Sequence, residues 1–279
     1  NIDLLVQDKA SMFQIFEAEY DDIWIRDHGP QTLIEKSSGD YYFSTSRFNG
    51  YGNKYYCEND KKLSLELTKK FRKFGNPYKQ TIFEIFNNII IEPGNITFNN
   101  NLYIINKSPL VAHNKLNWTA INEILKECIE DSLGAEYKII NMKPISGDDT
   151  NGHIDNLIRL ESSNYLYYMA TNDSGHPDFA LLKDLKEQIM NIDLKNKKII
   201  PLYHDRLDIV RGPNNNILPF SYLNYIRIGN LIIMPANKNT TIEKKNKIRE
   251  NFEYAEVVFI DSSELLNEKG GLHCCTMNI

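Results

Sequence analysis

Three short segments of the chain concentrate residue types that can do chemistry. Gly270-Gly271-Leu272-His273-Cys274-Cys275-Thr276-Met277 places two glycines ahead of two adjacent thiols. Glycine lets a backbone approach a ligand closely, and a thiol is the strongest nucleophile at neutral pH once its pKa is lowered. A buried cysteine is also an ordinary small core residue. Residue type alone does not say which of Cys274 and Cys275 would react; on a strand the two face opposite sides, so at most one enters a given pocket. The second segment, Gly147-Asp148-Asp149-Thr150-Asn151-Gly152-His153-Ile154-Asp155-Asn156, packs three acids and a histidine into eight positions. A strand starting near His153 would turn His153 and Asp155 to one face, where the histidine can move protons and the carboxylate can fix a cation. Calcium loops share this Asp and Gly richness, but the twelve-residue spacing and closing Glu are missing. The third, Asp21-Asp22-Ile23-Trp24-Ile25-Arg26-Asp27-His28-Gly29-Pro30, sets Trp24 three residues from Asp27 and ends in a Gly-Pro turn. An aromatic face beside a carboxylate suits a planar cation, through cation–π attraction and paired hydrogen bonds. The plain alternative is a turn with Arg26 salt-bridged to a nearby acid.

The elements that must position these segments alternate between strand and helix. Strands are expected at residues 3–6, 41–44, 88–91, 101–105, 137–141, 156–160, 164–170, 198–202, 225–227, 231–235 and 256–260, all short and rich in Ile, Val, Tyr and Phe. Helices are expected at 62–74, 119–133, 178–190 and 241–251; Leu63, Leu67, Phe71 and Phe74 mark one helical apolar face. Asn99-Asn100 and Gly229-Asn230 sit between strand pairs as hairpin turns. Hairpins alternating with single helices suggest a degenerate ββαβ-like repeat, though no fixed period appears in the sequence. No linker or charge block divides the 279 residues, so one domain over 1–279 is expected.

Composition narrows the classes. Hydrophobic residues make up 42% and charged residues 25%, enough for a sizeable core in a chain that stays in solution. A net charge of −5 argues against a nucleic-acid partner, which meets a basic face. No stretch of about 18 apolar residues exists to cross a membrane. The cysteines at 57, 128, 274 and 275 form neither a zinc pattern nor a disulfide framework, so all four are read as reduced thiols. His113, His176 and His204 stand apart without a partner pattern and are read as surface or structural. Neither a GxGxxG run nor a P-loop occurs.

Taken together and in order, six motifs resemble the agmatine deiminase and bacterial-type peptidylarginine deiminase family, within the guanidino-group-modifying superfamily. They are Trp24-Ile25-Arg26-Asp27-His28-Gly29-Pro30, Arg47-Phe48-Asn49-Gly50-Tyr51-Gly52, Glu92-Pro93-Gly94-Asn95, residues 147–156, Ser221-Tyr222-Leu223-Asn224 and residues 270–276. The resemblance implies an α/β fold, a five-bladed pseudo-symmetric α/β-propeller of ββαβ-like units with its site on the central axis. It implies Cys274 as nucleophile, His153 as general acid/base, and Asp27 and Asp155 as the carboxylates that grip a guanidinium. Asp149, Trp24 and Asn224 are implied as pocket residues. The family commonly has Thr-Asp-Gly-His where this chain has Thr150-Asn151-Gly152-His153, and Glu-Gly-Gly where it has Glu92-Pro93-Gly94. It also normally carries a further N-terminal segment, which this sequence is expected to lack.

The reaction implied by the resemblance is hydrolytic deimination without metal or organic cofactor. The two carboxylates hold the cation, Cys274 attacks its carbon, and His153 serves first the departing ammonia and then the attacking water. The Arg47-Phe48-Asn49 run resembles the agmatine branch, making agmatine the expected substrate, N-carbamoylputrescine the product and the cytoplasm the expected location. A small-molecule guanidinium is the expected partner, and a homodimer the default assembly. The alternatives are free or peptidyl arginine as substrate, amidino transfer to an amine, an inactive propeller used for binding, and a generic cysteine peptidase or amidase. The last would leave the second carboxylate and Trp24 without a role.

Overall fold

The computed structural model describes residues 15–72, 78–99, 101–161, 164–194 and 197–277. Four three-stranded sheets repeat one plan: an antiparallel hairpin, a helical crossover, and a third strand that joins the hairpin's second strand in parallel. The first unit contains β1 (Gln31–Ile34), β2 (Tyr41–Ser44), α1 (Glu58–Arg72) and β3 (Tyr78–Phe83). The second has β4 (Ile96–Asn99), β5 (Leu102–Asn106), α2 (Lys107–His113), α3 (Trp118–Leu125) and β6 (Glu136–Ile140). The third has β7 (Ile158–Glu161), β8 (Tyr165–Ala170), α4 (Phe179–Asn191) and β9 (Lys198–Tyr203). A small hairpin, β10 (Val210–Arg211) with β11 (Ile217–Leu218), precedes the fourth: β12 (Ile226–Ile228), β13 (Leu231–Ala236), α5 (Ile242–Arg249) and β14 (Glu256–Asp261). The short helix α6 (Ser263–Asn267) follows.

Local chemistry accounts for these elements. A middle strand paired on both edges and covered on both faces reads as an apolar run, and β8, Tyr-Leu-Tyr-Tyr-Met-Ala, is buried from its second residue to its last. Leu182, Leu185 and Ile189 place the buried stripe of α4 at helical spacing. Asn117 caps α3 and Thr241 caps α5, each accepting a hydrogen bond from the backbone N–H three residues on. Gly229, at φ +58, turns the β12–β13 hairpin.

Among the described residues the ββαβ repeat is therefore present in four copies, and most expected elements lie within two residues of the observed ones. Residues 88–91 are a correction: they form a turn and irregular backbone, not a strand. Ile89 and Ile91 are buried all the same, which gives an irregular segment the apolar run of a buried strand. The helix expected at 119–133 keeps α-geometry only to Leu125 and then widens into a π-turn over Lys126–Ser132. β1, β3 and the β10–β11 hairpin were not anticipated. The strand expected at 3–6 lies outside the described residues. Among the described residues no helix is long and apolar enough to cross a membrane.

The loops that enter the sheets carry the polar residues. A polar segment leads into the first strand of each unit: residues 24–28 before β1, 92–95 before β4, 148–156 before β7 and 221–225 before β12. Residues 270–275, after α6, supply a fifth.

Candidate active site

Hydrogen bonds join these five segments in a closed circuit. The Gly94 N–H donates to Asp27 Oδ1 at 3.1 Å. Asn95 Nδ2 donates to the Asn106 carbonyl, and Asn106 Nδ2 donates to that of Gly152 at 2.7 Å. Ser221 Oγ donates to the Asn156 carbonyl at 2.7 Å, and Asn224 Nδ2 to Asn156 Oδ1 at 3.2 Å. The His273 N–H donates to Asn224 Oδ1 at 2.9 Å, and the Arg26 N–H closes the circuit on the Cys274 carbonyl at 3.0 Å. Opposite ends of the chain, Arg26 and Cys274, are thus fixed within one hydrogen bond of each other.

Cys274 sits in a turn rather than on a strand, so the turn, not a pleat, separates it from Cys275. Its thiol lines a cavity of about 520 Å³ together with Trp24, Asp27, Tyr51 and Asp149. Cys275 Sγ instead points at the Leu272 carbonyl, 3.2 Å away. All four cysteines are free thiols, as expected. Cys274 Sγ lies 3.6 Å from Asp155 Oδ2 and 3.3 Å from Asn224 Nδ2. Burial, then Asp155 and Asp27, push this thiol well above its ordinary pKa, against the bonds from Gly271 and Asn224. At rest the sulfur is protonated, and an added positive charge is what would release its proton.

Asp155 lies on a single 3₁₀ turn, Ile154–Asn156, and β7 starts only at Ile158. The expected strand pairing of His153 with Asp155 is therefore corrected: a turn, not period-two alternation, brings both inward. Asp148 builds that turn by accepting from Thr150 N and Oγ1 at 2.7 and 2.6 Å, while Thr150 Oγ1 accepts from His153 N at 3.1 Å. Asp155 Oδ2 accepts from His273 Nδ1 at 2.8 Å, and Oδ1 is buried with no hydrogen-bond partner among the described residues. Burial, and less strongly Asp27, push Asp155 up to about 6, against the pull of His153.

His153 is 1% exposed, with Nδ1 3.4 Å from Asp27 Oδ1 and Nε2 3.8 Å from Glu92 Oε2. Burial opposes its charge, but Asp27, Glu92 and Asp155 outweigh burial and hold it up to about 10. Its proton is therefore in place at neutral pH. Asp27 Oδ2 accepts from Tyr51 Oη at 2.9 Å, yet burial still keeps its carboxyl above the ordinary range. Gly94 permits this crowding. A Cβ there would stand 2.4 Å from Asp27 Oδ1 and 2.7 Å from His153 Nδ1.

A second layer holds the first. Asn151, at φ +65, donates from Nδ2 to His113 Nε2 at 2.9 Å, which leaves His113 Nδ1–H to donate to Glu92 Oε1 at 2.8 Å. Burial favours a neutral Glu92, but its bonds to His113 and His153 bring it down to about 2. His113 is thus not a surface residue; its partner Glu92 lies 21 positions away, too far for a spacing pattern to show. Of the two other histidines read as surface or structural, His176 and His204, both are buried and accept from the Asp178 and Tyr222 N–H groups. Trp24 packs its ring so near Gly270 that a Cβ there would meet it at 2.4 Å. Asp149 lies at the cavity mouth, where its Oδ2 accepts from Tyr55 Oη at 2.6 Å and pairs with Lys269 and Lys54 at 3.1 and 3.4 Å.

Of the seven expected site residues, Trp24, Asp27, Asp149 and Cys274 line the cavity, while Asp155 and Asn224 meet the Cys274 sulfur and His153 meets Asp27. Four contributors lay outside the expected set: Tyr51, Glu92, His113 and His273. Glu92 left a signal, a lone acid ending the apolar run Ile89-Ile90-Ile91. The arrangement can hold a flat cation between buried carboxylates, offer it a sulfur, and supply a proton from a charged imidazole.

Comparison with known proteins gives the family and the fold. The model of the Porphyromonas-type peptidyl-arginine deiminase family matches residues 2–279. A Listeria monocytogenes protein named "Putative agmatine deiminase 1" is 23% identical over 290 residues, covering 95% of this chain and 77% of its own. The crystal structure of a protein described as a "putative peptidyl-arginine deiminase" superposes with a TM-score of 0.82 at 25% identity, over 95% of this chain and 78% of that one. A cysteine-to-serine variant of the C. jejuni agmatine deiminase with substrate bound gives a TM-score of 0.80 at 23% identity, over 99% and 78%.

Proposed function

The chain belongs to the Porphyromonas-type peptidyl-arginine deiminase family, and from that premise we propose that it hydrolyses a guanidinium group, with agmatine as substrate and N-carbamoylputrescine and ammonia as products. The observation that carries the reading is the convergence of one buried thiol, two buried carboxylates and a buried histidine, with Cys274 Sγ 3.6 Å from Asp155 and His153 3.4 Å from Asp27. The relatives named above as agmatine deiminases support the substrate class. Charge supports agmatine within that class. Asp21, Asp22, Asp27, Asp149 and Glu268 line the cavity, and among the described residues Lys269 is the one lysine or arginine that lines it with them, which favours a small dication.

A guanidinium is resonance-stabilised and permanently charged, so its carbon is a poor electrophile until it is oriented. Asp27 and Asp155 hold its nitrogens in one plane, with Trp24 beside it. The incoming positive charge offsets the two carboxylates that keep Cys274 protonated, and the thiol gives up its proton to solvent water. The sulfur then bonds to the central carbon. His153 protonates the departing nitrogen, the C–N bond breaks and ammonia leaves, with Cys274 held as an amidino-thioether. His153, now neutral, takes a proton from water as the water's oxygen bonds to the same carbon. The hydroxyl proton of that intermediate passes to sulfur as the C–S bond breaks, which gives the carbamoyl product and restores the Cys274 thiol. Acid–base help of this kind typically contributes about 10²–10⁴-fold.

Four ββαβ units and a closed circuit of five polar segments also support, for the architecture, a single-domain, five-bladed pseudo-symmetric α/β-propeller with this site on its axis. The functional test is release of ammonia from agmatine, free arginine and a peptidyl-arginine by the purified protein. Agmatine should be turned over with the highest kcat/KM. Turnover of peptidyl-arginine alone would overturn the substrate, and turnover of none would overturn the deiminase reading.

A further inference from the structure

Lys269 combines two features that belong together. It adopts φ +70, a left-handed conformation that costs a side chain with a Cβ and suits glycine. It is held there between α6 and Gly270, in the segment that carries Cys274. From that backbone position its ammonium reaches across the cavity mouth to Asp149 Oδ2 at 3.1 Å, in the segment that carries His153. The same oxygen also accepts from Tyr55 Oη at 2.6 Å and faces Lys54 Nζ at 3.4 Å. Lys269 and Asp149 line the same cavity as Cys274 and Asp27. The cavity that holds Asp27 and the Cys274 thiol thus also holds a second carboxylate, Asp149, and that one already has two ammonium groups of the protein on it.

We propose that Lys269 is a specificity-determining residue: its ammonium occupies the subsite on Asp149 that the distal cation of a diamine-like guanidine would take, so it competes with the substrate tail and sets the affinity for cationic-tailed guanidines relative to neutral-tailed ones. This inference rests on the deiminase reading. Asp149 stays ionised in this arrangement, because the Tyr55 and Lys269 bonds and the Lys54 charge outweigh its burial. The competition is modest, since Lys269 is half exposed and water screens the pair.

The test compares agmatine with n-butylguanidine, which has the same head and no tail charge, in the parent protein, in K269M and in K269G. Glycine suits φ +70, so the second variant guards against misfolding of the first. In both variants the ratio of KM for agmatine to KM for butylguanidine should fall roughly two- to fivefold, the scale of one partly exposed ion pair, while the ratio of their kcat values stays within about twofold. Dissociation constants of the same two guanidines, measured calorimetrically with Cys274→Ser added to each protein, should show the same fall without turnover. An unchanged ratio, or one that rises, overturns the role of Lys269 and leaves the deiminase reading standing. Failure of the parent protein to turn over either guanidine overturns the deiminase reading, and this inference with it.

Discussion

Tyr51→Phe removes one oxygen from the site and nothing else. The phenol donates to Asp27 Oδ2 at 2.9 Å in a buried setting, while its ring meets Phe48 edge-on at 5.2 Å and tilts toward His153 at 5.9 Å. Phenylalanine keeps both ring contacts. A hydrogen bond to a charged group contributes about 1.5–3 kcal/mol, and each 1.36 kcal/mol is a factor of ten, so kcat/KM for agmatine should fall about ten- to a hundredfold. The pH dependence gives the more specific signature. Burial holds the Asp27 carboxyl above its ordinary range, and the Tyr51 bond is one of the forces that pull it back. Without that bond the carboxylate takes up a proton at higher pH, so the acid limb of kcat/KM must move to higher pH and never to lower. Ammonia release measured from about pH 5 to pH 9 checks both effects. A variant within about twofold of the parent, with its acid limb unmoved, would refute the claim that ionised Asp27 grips the substrate.

The same geometry fixes the outcome of other perturbations. Gly94→Ala would drive a methyl to 2.4 Å from Asp27 Oδ1; misplacing that pair by about 1 Å should cost about a hundredfold in kcat/KM, with circular dichroism unchanged, and a loss under about threefold would contradict it. Cys274→Ser should abolish turnover yet still bind agmatine in calorimetry, whereas Cys275→Ser, outside the cavity, should retain at least about half of the parent activity. His153 has a folded value of about 10 against an ordinary 6.5, so its contribution to stability is fully present below pH 6.5 and is lost as pH rises toward 10. The gap in melting temperature between the parent and His153→Gln should therefore narrow from pH 6.5 to pH 10, and a widening gap would reverse the assignment.

The repeat was legible because hairpin turns and helical apolar faces are local signals. Gly229-Asn230 marks its hairpin from two residues, and Leu182, Leu185 and Ile189 mark their helix from eight. Residues 88–91 misled because an apolar run is buried whether it is strand or turn, and the local sequence does not choose. In the site, Cys274, His153, Asp155, Asp27 and Trp24 stood out because each lies in a dense polar segment beside glycine. Tyr51, His113 and His273 did not, and Glu92 showed only as a lone acid ending an apolar run, because their roles exist only across the chain. Tyr51 meets Asp27 over 24 residues, His113 meets Glu92 over 21, and His273 meets Asp155 over 118. The left-handed backbone of Lys269 is equally silent in the sequence, since lysine there reads as one more surface charge.

The central claim is that Cys274, and no other thiol, bonds to the guanidinium carbon. Mass spectrometry of the protein acid-quenched during agmatine turnover, followed by peptide mapping, tests it directly. The account predicts an amidino adduct on Cys274 that appears within the first turnover, decays as substrate is exhausted, and is absent from Cys274→Ser. An adduct on Cys275, or turnover with no adduct at any quench time, would contradict it.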